Sequence, residues 1–310
     1  MKFGVALTTS ASPVFREFEQ KEYILEVAKI SEARGYESVW VSDRTVYPED
    51  ISGKYPEQFG QGKTNPNSQN VMESLITLSF IAGKTRNLLL GTSVLVLPFR
   101  NPLLNTKMLS TLDILSDGRL IIGVGTGWMK EEFDSIGADY SKRGSMTDEH
   151  IQLIAKSARD PVPNYQGQFI NTTGMRIYPQ NYRGRSIPIW VGGNSEKSFV
   201  RTVRFGNAWH GINLTPLQLK RSRDRLKEIC EAYQRDHSEI NTTLRATVKI
   251  TDQRNTQGKN RSYLTGDLDQ IADDLHKYEK AGLDYLVISM SGKSTDEVVS
   301  SISKFADRFI

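Results

Sequence analysis

The chain has 310 residues, 38% hydrophobic and 25% charged, with 40 basic against 36 acidic side chains and a formal net charge of +4. The length suits a single α/β barrel domain, and the composition is that of a globular protein. The charge is too balanced, and too free of Lys/Arg blocks, for a nucleic-acid surface. No apolar run has the length of a signal peptide or a membrane span, so the expectation is a cytoplasmic protein with no membrane contact. Cys230 is the only cysteine, which leaves no internal disulfide and reads as a packed thiol.

Phe3–Leu7 predicts a first strand ending at Thr8, Thr9 and Ser10. Apolar residues at Ile24, Val27, Ala28 and Ile30 predict a helix over Tyr23–Arg34, stopped by Gly35. Glu37–Val41 is a second strand and delivers Ser42, Asp43 and Arg44. The polar loop Thr45–Asn70 follows, of a length that is usually functional or disordered. Next come a helix over Val71–Lys84, a third strand over Leu88–Val96 and a helix over Pro102–Leu115, with proline in its first turn. Arg119–Val124 is a fourth strand. It runs into Gly125-Thr126-Gly127-Trp128 and then a helix from near Met129.

Gly144–Arg159 predicts another helix. Asp160–Arg185, rich in proline and glycine, reads as an insertion with hairpin-like pieces such as Tyr165–Ile170. Pro188–Val191 is a fifth strand, passing through Gly192, Gly193, Asn194 and Ser195 into a helix that ends at Phe205. Asn207–His210, Leu244–Ile250 and Tyr285–Ser289 are the last strands. Pro216–Arg235, Gly266–Lys280 and Ser294–Phe309 are the last helices, and Thr251–Thr265 is a loop. Strands alternating with helices imply parallel pairing, and eight such units predict a (β/α)8 TIM barrel in one domain, 1–310. Insertions near 45–70, 160–185 and 251–265 then shape a pocket at the C-terminal face. An open doubly wound sheet is the alternative.

The strand ends are short of nucleophile–base pairs. Of His150, His210, His237 and His276, only His210 falls at a strand end, where a histidine is by default a satisfied core or rim residue. No His/Cys/Asp cluster has metal spacing, so a hydrolase or metal enzyme is disfavoured. Gly125-Thr126-Gly127-Trp128 joins a buried strand to a helix start. It reads either as an ordinary turn or as a close approach to a flat ligand. Gly192-Gly193-Asn194-Ser195 reads as a phosphate seat or as a plain helix cap.

Assembled, the segments ESVWVSD, GTSVLVLPFRNPLL, TLDILSDGRLIIGVGTGWMKEEFDSIG and IPIWVGGNSEKS, with the C-terminal TGDLDQIADDLHKYEKAGLDYLVI, carry a resemblance. In order and spacing the chain resembles the bacterial luciferase-like superfamily of flavin and deazaflavin enzymes. It is most similar to the coenzyme F420-dependent branch. The resemblance implies a flavin-type ring at the strand C-termini, with Ser93-Val94 as a non-prolyl cis peptide behind it. Gly125, Thr126, Gly127 and Trp128 would line the ring edge, with Glu132 nearby. Gly192, Gly193, Asn194 and Ser195 would hold the phosphate. Asp43 matches an acidic or polar family position. Arg44 stands where deazaflavin members usually carry a proton-donating histidine. Arginine stays protonated and shuttles protons poorly, but it can stabilise an enolate, a peroxide or an anionic substrate.

The resemblance thus implies catalytic roles for Asp43, Arg44, Trp128 and Glu132. The leading expectation is an F420-dependent oxidoreductase acting on a small organic substrate. The alternatives are an FMN-dependent monooxygenase with a separate reductase and a flavin-binding protein without turnover. The resemblance also implies a homodimer, with Val71–Lys84 and Pro102–Leu115 as interface helices.

Overall fold

The computed structural model describes residues 1–7, 20–55, 71–258 and 261–310. The expected first strand end, Thr8 to Ser10, and most of the polar loop before Val71 lie outside the described residues.

The first half of the chain forms β1 (Lys2–Ala6), α1 (Gln20–Ala33), β2 (Ser38–Val41), the short α2 (Ile51–Lys54) and α3 (Ser74–Ala82). It continues with β3 (Leu89–Thr92), β4 (Leu95–Val96), α4 (Pro102–Leu115), β5 (Leu120–Gly125) and α5 (Lys130–Ile136). The second half forms α6 (Arg143–Ser157), β6 (Ile189–Gly192), α7 (Glu196–Phe205), β7 (Ala208–Ile212) and α8 (Pro216–Ala232). It ends with β8 (Asn241–Ile250), β9 (Thr265–Gly266), α9 (Leu268–Lys280), β10 (Tyr285–Met290) and α10 (Thr295–Phe309).

The strands pair in the order β10, β1, β2, β3, β5, β6, β7, β8, and β8 pairs back onto β10. Every one of these pairings is parallel. The sheet is therefore a closed eight-stranded barrel and not the open doubly wound alternative. Closure leaves no free edge among its strands.

Two apolar cores explain why the strands read as nearly continuous hydrophobic runs. The outer core lies between strands and helices and includes Val5, Val39, Leu90, Ile122, Val191 and Leu244. The inner core joins Ala6, Trp40, Ile121, Trp190, Ala208, Tyr285 and Val287 across the ring. Trp40 and Trp190 lie 4.6 Å apart, and Tyr285 meets Trp190 edge-on at 5.1 Å. Glycine makes room for this layer: a Cβ on Gly91 would come 2.2 Å from the Trp40 ring. The barrel is thus filled beneath its upper rim, and a ligand can sit only above the aromatic layer.

Two expected elements differ in form. The predicted strand Leu88–Val96 is two pieces, β3 and β4, separated by a cis Ser93–Val94 peptide bond. The hairpin expected at Tyr165–Ile170 is reduced to a single antiparallel bridge between Gln166 and Asn171. Within the long polar loop, α2 is capped by Asp50, whose carboxylate accepts from the Gly53 N–H at 2.9 Å.

Candidate active site

The C-terminal ends of β2, β3, β5, β6 and β7 surround a cavity of about 370 Å3. Its lining includes Asp43, Arg44, Ser93, Val94, Gly125, Thr126, Gly127, Trp128, Gly192 and Gly193, with Ser42, Val96, His210, Ile212 and Arg245 beside them. Val94 stands between two glycines. A Cβ on Gly125 would come 2.4 Å from Val94 Cγ2, and one on Gly192 would come 2.6 Å from Val94 Cγ1. The floor can rise at Val94 only because both neighbours lack side chains. Gly127, at φ +76°, has no room either: its Cβ would meet the Phe133 ring at 2.6 Å.

The cavity runs into a second space of about 560 Å3, and Thr126, Gly192 and Gly193 border both. This groove follows the start of α7. Ser195 caps that helix, accepting from the Ser198 N–H while Ser198 Oγ accepts from the Ser195 N–H. Arg143, Lys197, Arg201 and Arg204 line the groove. One carboxylate, Asp148, serves both Arg201 at 2.5 Å and Arg204 at 3.5 Å. The groove is left basic beside a helix N-terminus, which suits an anion.

Asn194 is the exception among the expected phosphate residues. It borders neither space, and its amide is bound to the backbone of Ile212, through Nδ2 to the carbonyl and Oδ1 to the N–H. Its place is to stitch the loop after β6 to the end of β7. Gly193 is fixed from β7 as well: its N–H donates to the His210 carbonyl, and its carbonyl accepts from Trp209 Nε1 at 2.7 Å.

Asp43 borders the cavity, but its carboxylate is occupied. Arg100 holds both oxygens at 2.7 and 2.8 Å, Ser74 Oγ donates at 3.1 Å, and the Val96 N–H donates at 3.0 Å. The geometry makes Asp43 an anchor for β4 and Arg100, with no free lone pair to take a substrate proton. Glu132 is fully buried behind Arg44 and does not reach the cavity. It accepts from Arg44 Nη1 at 2.5 Å and from the Thr45 N–H at 2.6 Å. Burial pushes its carboxyl above the usual carboxylate range, against the pull of the Thr45 N–H and Arg44. The Arg44 guanidinium also lies 5.0 Å from the Trp128 ring and 5.2 Å from the Tyr47 ring.

His210 is satisfied on both nitrogens. Thr243 Oγ1 donates to the Trp209 carbonyl at 2.9 Å, so it must accept from His210 Nδ1 at 2.8 Å. Nε2 is then a bare acceptor, and Ser93 Oγ donates to it at 2.9 Å. Burial, reinforced by the Arg245 charge, pushes this imidazole down to about 3, so it stays neutral. Sequence reading placed His210 at a strand end but missed Arg245 and Arg100. Arg245 sits at the middle of a ten-residue strand, level with the last residue of β7. Only that register, invisible in one segment, brings it to the cavity.

Among the described residues no group of three or more His, Cys, Asp or Glu side chains converges as a metal site. No helix among them is long and apolar enough to cross a membrane.

Fold and site together define a (β/α)8 barrel with a cavity at its strand C-termini, joined to a basic groove. The chain belongs to the luciferase-like monooxygenase family, whose model matches residues 1–257. It is 28% identical to an uncharacterised protein of Mycobacterium tuberculosis over 209 residues, 67% of this chain and 72% of that one. In structure it is similar to a monooxygenase of Streptomyces bottropensis, with a TM-score of 0.80, 18% identity and coverage of 100% of this chain and 98% of that one. It is also similar to the coenzyme F420-dependent tetrahydromethanopterin reductase of Methanopyrus kandleri, with a TM-score of 0.77, 17% identity and coverage of 99% and 97%.

Proposed function

We propose that the protein is an oxidoreductase that seats a flavin-type ring in the cavity and its phosphorylated tail in the basic groove, and exchanges two electrons with a small organic substrate. The observation that carries this reading is the continuity of the two spaces: Thr126, Gly192 and Gly193 border both. A flat floor beside a basic helix start fits a planar ring with an anionic tail. When bound, such a ring supplies a hydride or reducing equivalents for dioxygen; the protein supplies orientation and electrostatics.

On this reading Val94, Gly125 and Gly192 support the ring face. Thr126, Gly127 and Trp128 border its edge, and Gly193 and Ser195, with Arg143, face the phosphate. Arg44 stands at the cavity as a fixed positive charge, aligned by Glu132. Among the described lining residues none is poised to carry a proton: Asp43 is saturated, His210 is bound on both nitrogens, and Arg44 and Arg245 are arginines. Oxidation of an alcohol would need a base. Reduction of a polarised double bond would not, because a guanidinium can stabilise the developing enolate while water supplies the proton.

Coenzyme F420 as hydride donor to such a substrate is the first form of the proposal, in keeping with the resemblance to the F420-dependent branch. The lack of a proton carrier among the described lining residues also favours a second form, an FMN-dependent monooxygenase fed by a separate reductase. Side-by-side titration with F420 and FMN, oxidised and reduced, tests both. Micromolar F420 binding with weak FMN binding supports the first form, and the reverse supports the second. Binding of neither overturns the proposal.

A further inference from the structure

Among the described residues Arg245 has no counter-charge. It projects from the middle of β8, in register with Ile212 of β7 and Val287 of β10, and borders the cavity beside Ser93 and His210. Its partners are neutral oxygens. Nη1 donates to the Ser93 carbonyl at 2.8 Å, to Ser42 Oγ at 2.9 Å and to Ser93 Oγ at 3.5 Å, and Nε donates to Ser289 Oγ at 3.2 Å. Nη2 donates to nothing among the described residues, and it is not among the sealed polar atoms that lack a partner. It opens to the cavity.

Every other charge in the described lining has a counter-charge within reach. Arg100 grips Asp43 through both oxygens, and Glu132 pairs with Arg44. His210 is kept neutral by burial and by the Arg245 charge itself. Among the described lining residues Arg245 is therefore the one charge without a counter-charge. Burial pushes that guanidinium down to about 10, which leaves it protonated at neutral pH. A half-buried charge without a partner costs stability, and a neutral side chain of similar length would avoid much of that cost.

We infer that Arg245 is held unpaired to bind the negative charge of the ligand at the cavity floor, namely the delocalised anion of a reduced flavin-type ring. This rests on the cofactor reading above. It adds a specific consequence: the site prefers the reduced ring to the oxidised one, and Arg245 is a source of that preference. Ser42, Ser289 and the Ser93 carbonyl fix the direction of the guanidinium without spending its charge.

The test compares the wild type with Arg245→Met and Arg245→Lys under anaerobic conditions. Dissociation constants are measured for oxidised and reduced FMN and F420, and urea unfolding is followed for each ligand-free protein. The expected result is that Arg245→Met is at least as stable as the wild type without ligand. Its preference for the reduced over the oxidised ring should fall about tenfold or more, a shift of about 30 mV in the two-electron potential of the bound ring. Arg245→Lys should retain most of the preference.

If a ring binds and Arg245→Met leaves the preference unchanged, this inference falls and the cofactor reading stands. The inference falls alone, too, if the variant weakens both redox forms equally and unfolds at lower urea, because Arg245 is then structural. If the wild type binds neither ring, the cofactor reading falls and this ligand falls with it.

Discussion

Arg44 and Glu132 close on one another at 2.5 Å, with the carboxylate fully buried and the guanidinium facing the cavity beside Trp128. The pair sets a cation where a proton donor would be expected from the resemblance. Glu132→Gln keeps an acceptor for the Thr45 N–H but releases Arg44. Turnover is expected to fall about a hundredfold, the scale of losing one aligned electrostatic group, while cofactor affinity stays within a few fold. Steady-state kinetics beside cofactor titration check the split. Equal losses in both would show that the pair only shapes the site.

The Asp43–Arg100 pair predicts a stability effect instead. Arg100→Met leaves a buried carboxylate with two of its donors gone, which costs about 3 kcal/mol or more. Urea unfolding measures it. Arg100→Met together with Asp43→Asn should recover much of the loss, since the charge left behind is then removed.

Gly125 and Val94 predict a coupling. Gly125→Ala puts a methyl group 2.4 Å from a stiff β-branched side chain and should destabilise by about 1–3 kcal/mol. Val94→Ala in the same chain removes the colliding atom. A double-mutant cycle in urea should therefore be strongly non-additive, and simple additivity would refute the described packing.

Acid should weaken the fold through two histidines. Burial pushes His150 down to about 4 and His210 down to about 3. The unfolded chain takes up these protons near pH 6.5 and the folded chain only well below it. The stabilisation is full above about pH 6.5 and is lost as the pH falls toward 4. His150 accounts for roughly 2–3 kcal/mol of that loss. Unfolding free energies at pH 7, 5.5 and 4 should show the decline, and His150→Gln should flatten it.

The packed faces of α3 and α4 leave Ile76 at 72%, Leu104 at 53% and Leu115 at 65% exposure on neighbouring helices. We propose that a second copy of the chain covers them. Light scattering at micromolar concentration should give a dimer mass, and Ile76→Glu with Leu104→Glu should give a monomer.

The barrel was legible because each strand is buried on both faces and each helix on one, which writes alternating apolar runs and helical periods into the chain. Ser195 was legible as a cap because capping is local: its partner is three residues away. The break at Ser93–Val94 was not legible in its own residues, where Leu88–Val96 reads as one run; it came from the family's order of motifs. The tie of Asn194 to β7 was not legible, because its amide partner, Ile212, lies eighteen residues on in another strand. Arg100 and Arg245 escaped notice for the same reason. Their partners, Asp43 and Ser93, are 57 and 152 residues distant in sequence and meet only when the barrel closes.

All four tryptophans lie within one side chain of the cavity. Trp128 borders it, Trp40 and Trp190 pack against His210, and Trp209 holds the Gly193 carbonyl. The chain's ultraviolet emission thus arises almost wholly from around this cavity. A ligand that absorbs in the near ultraviolet would dim that emission on entry, giving the protein a built-in optical gauge of its own occupancy.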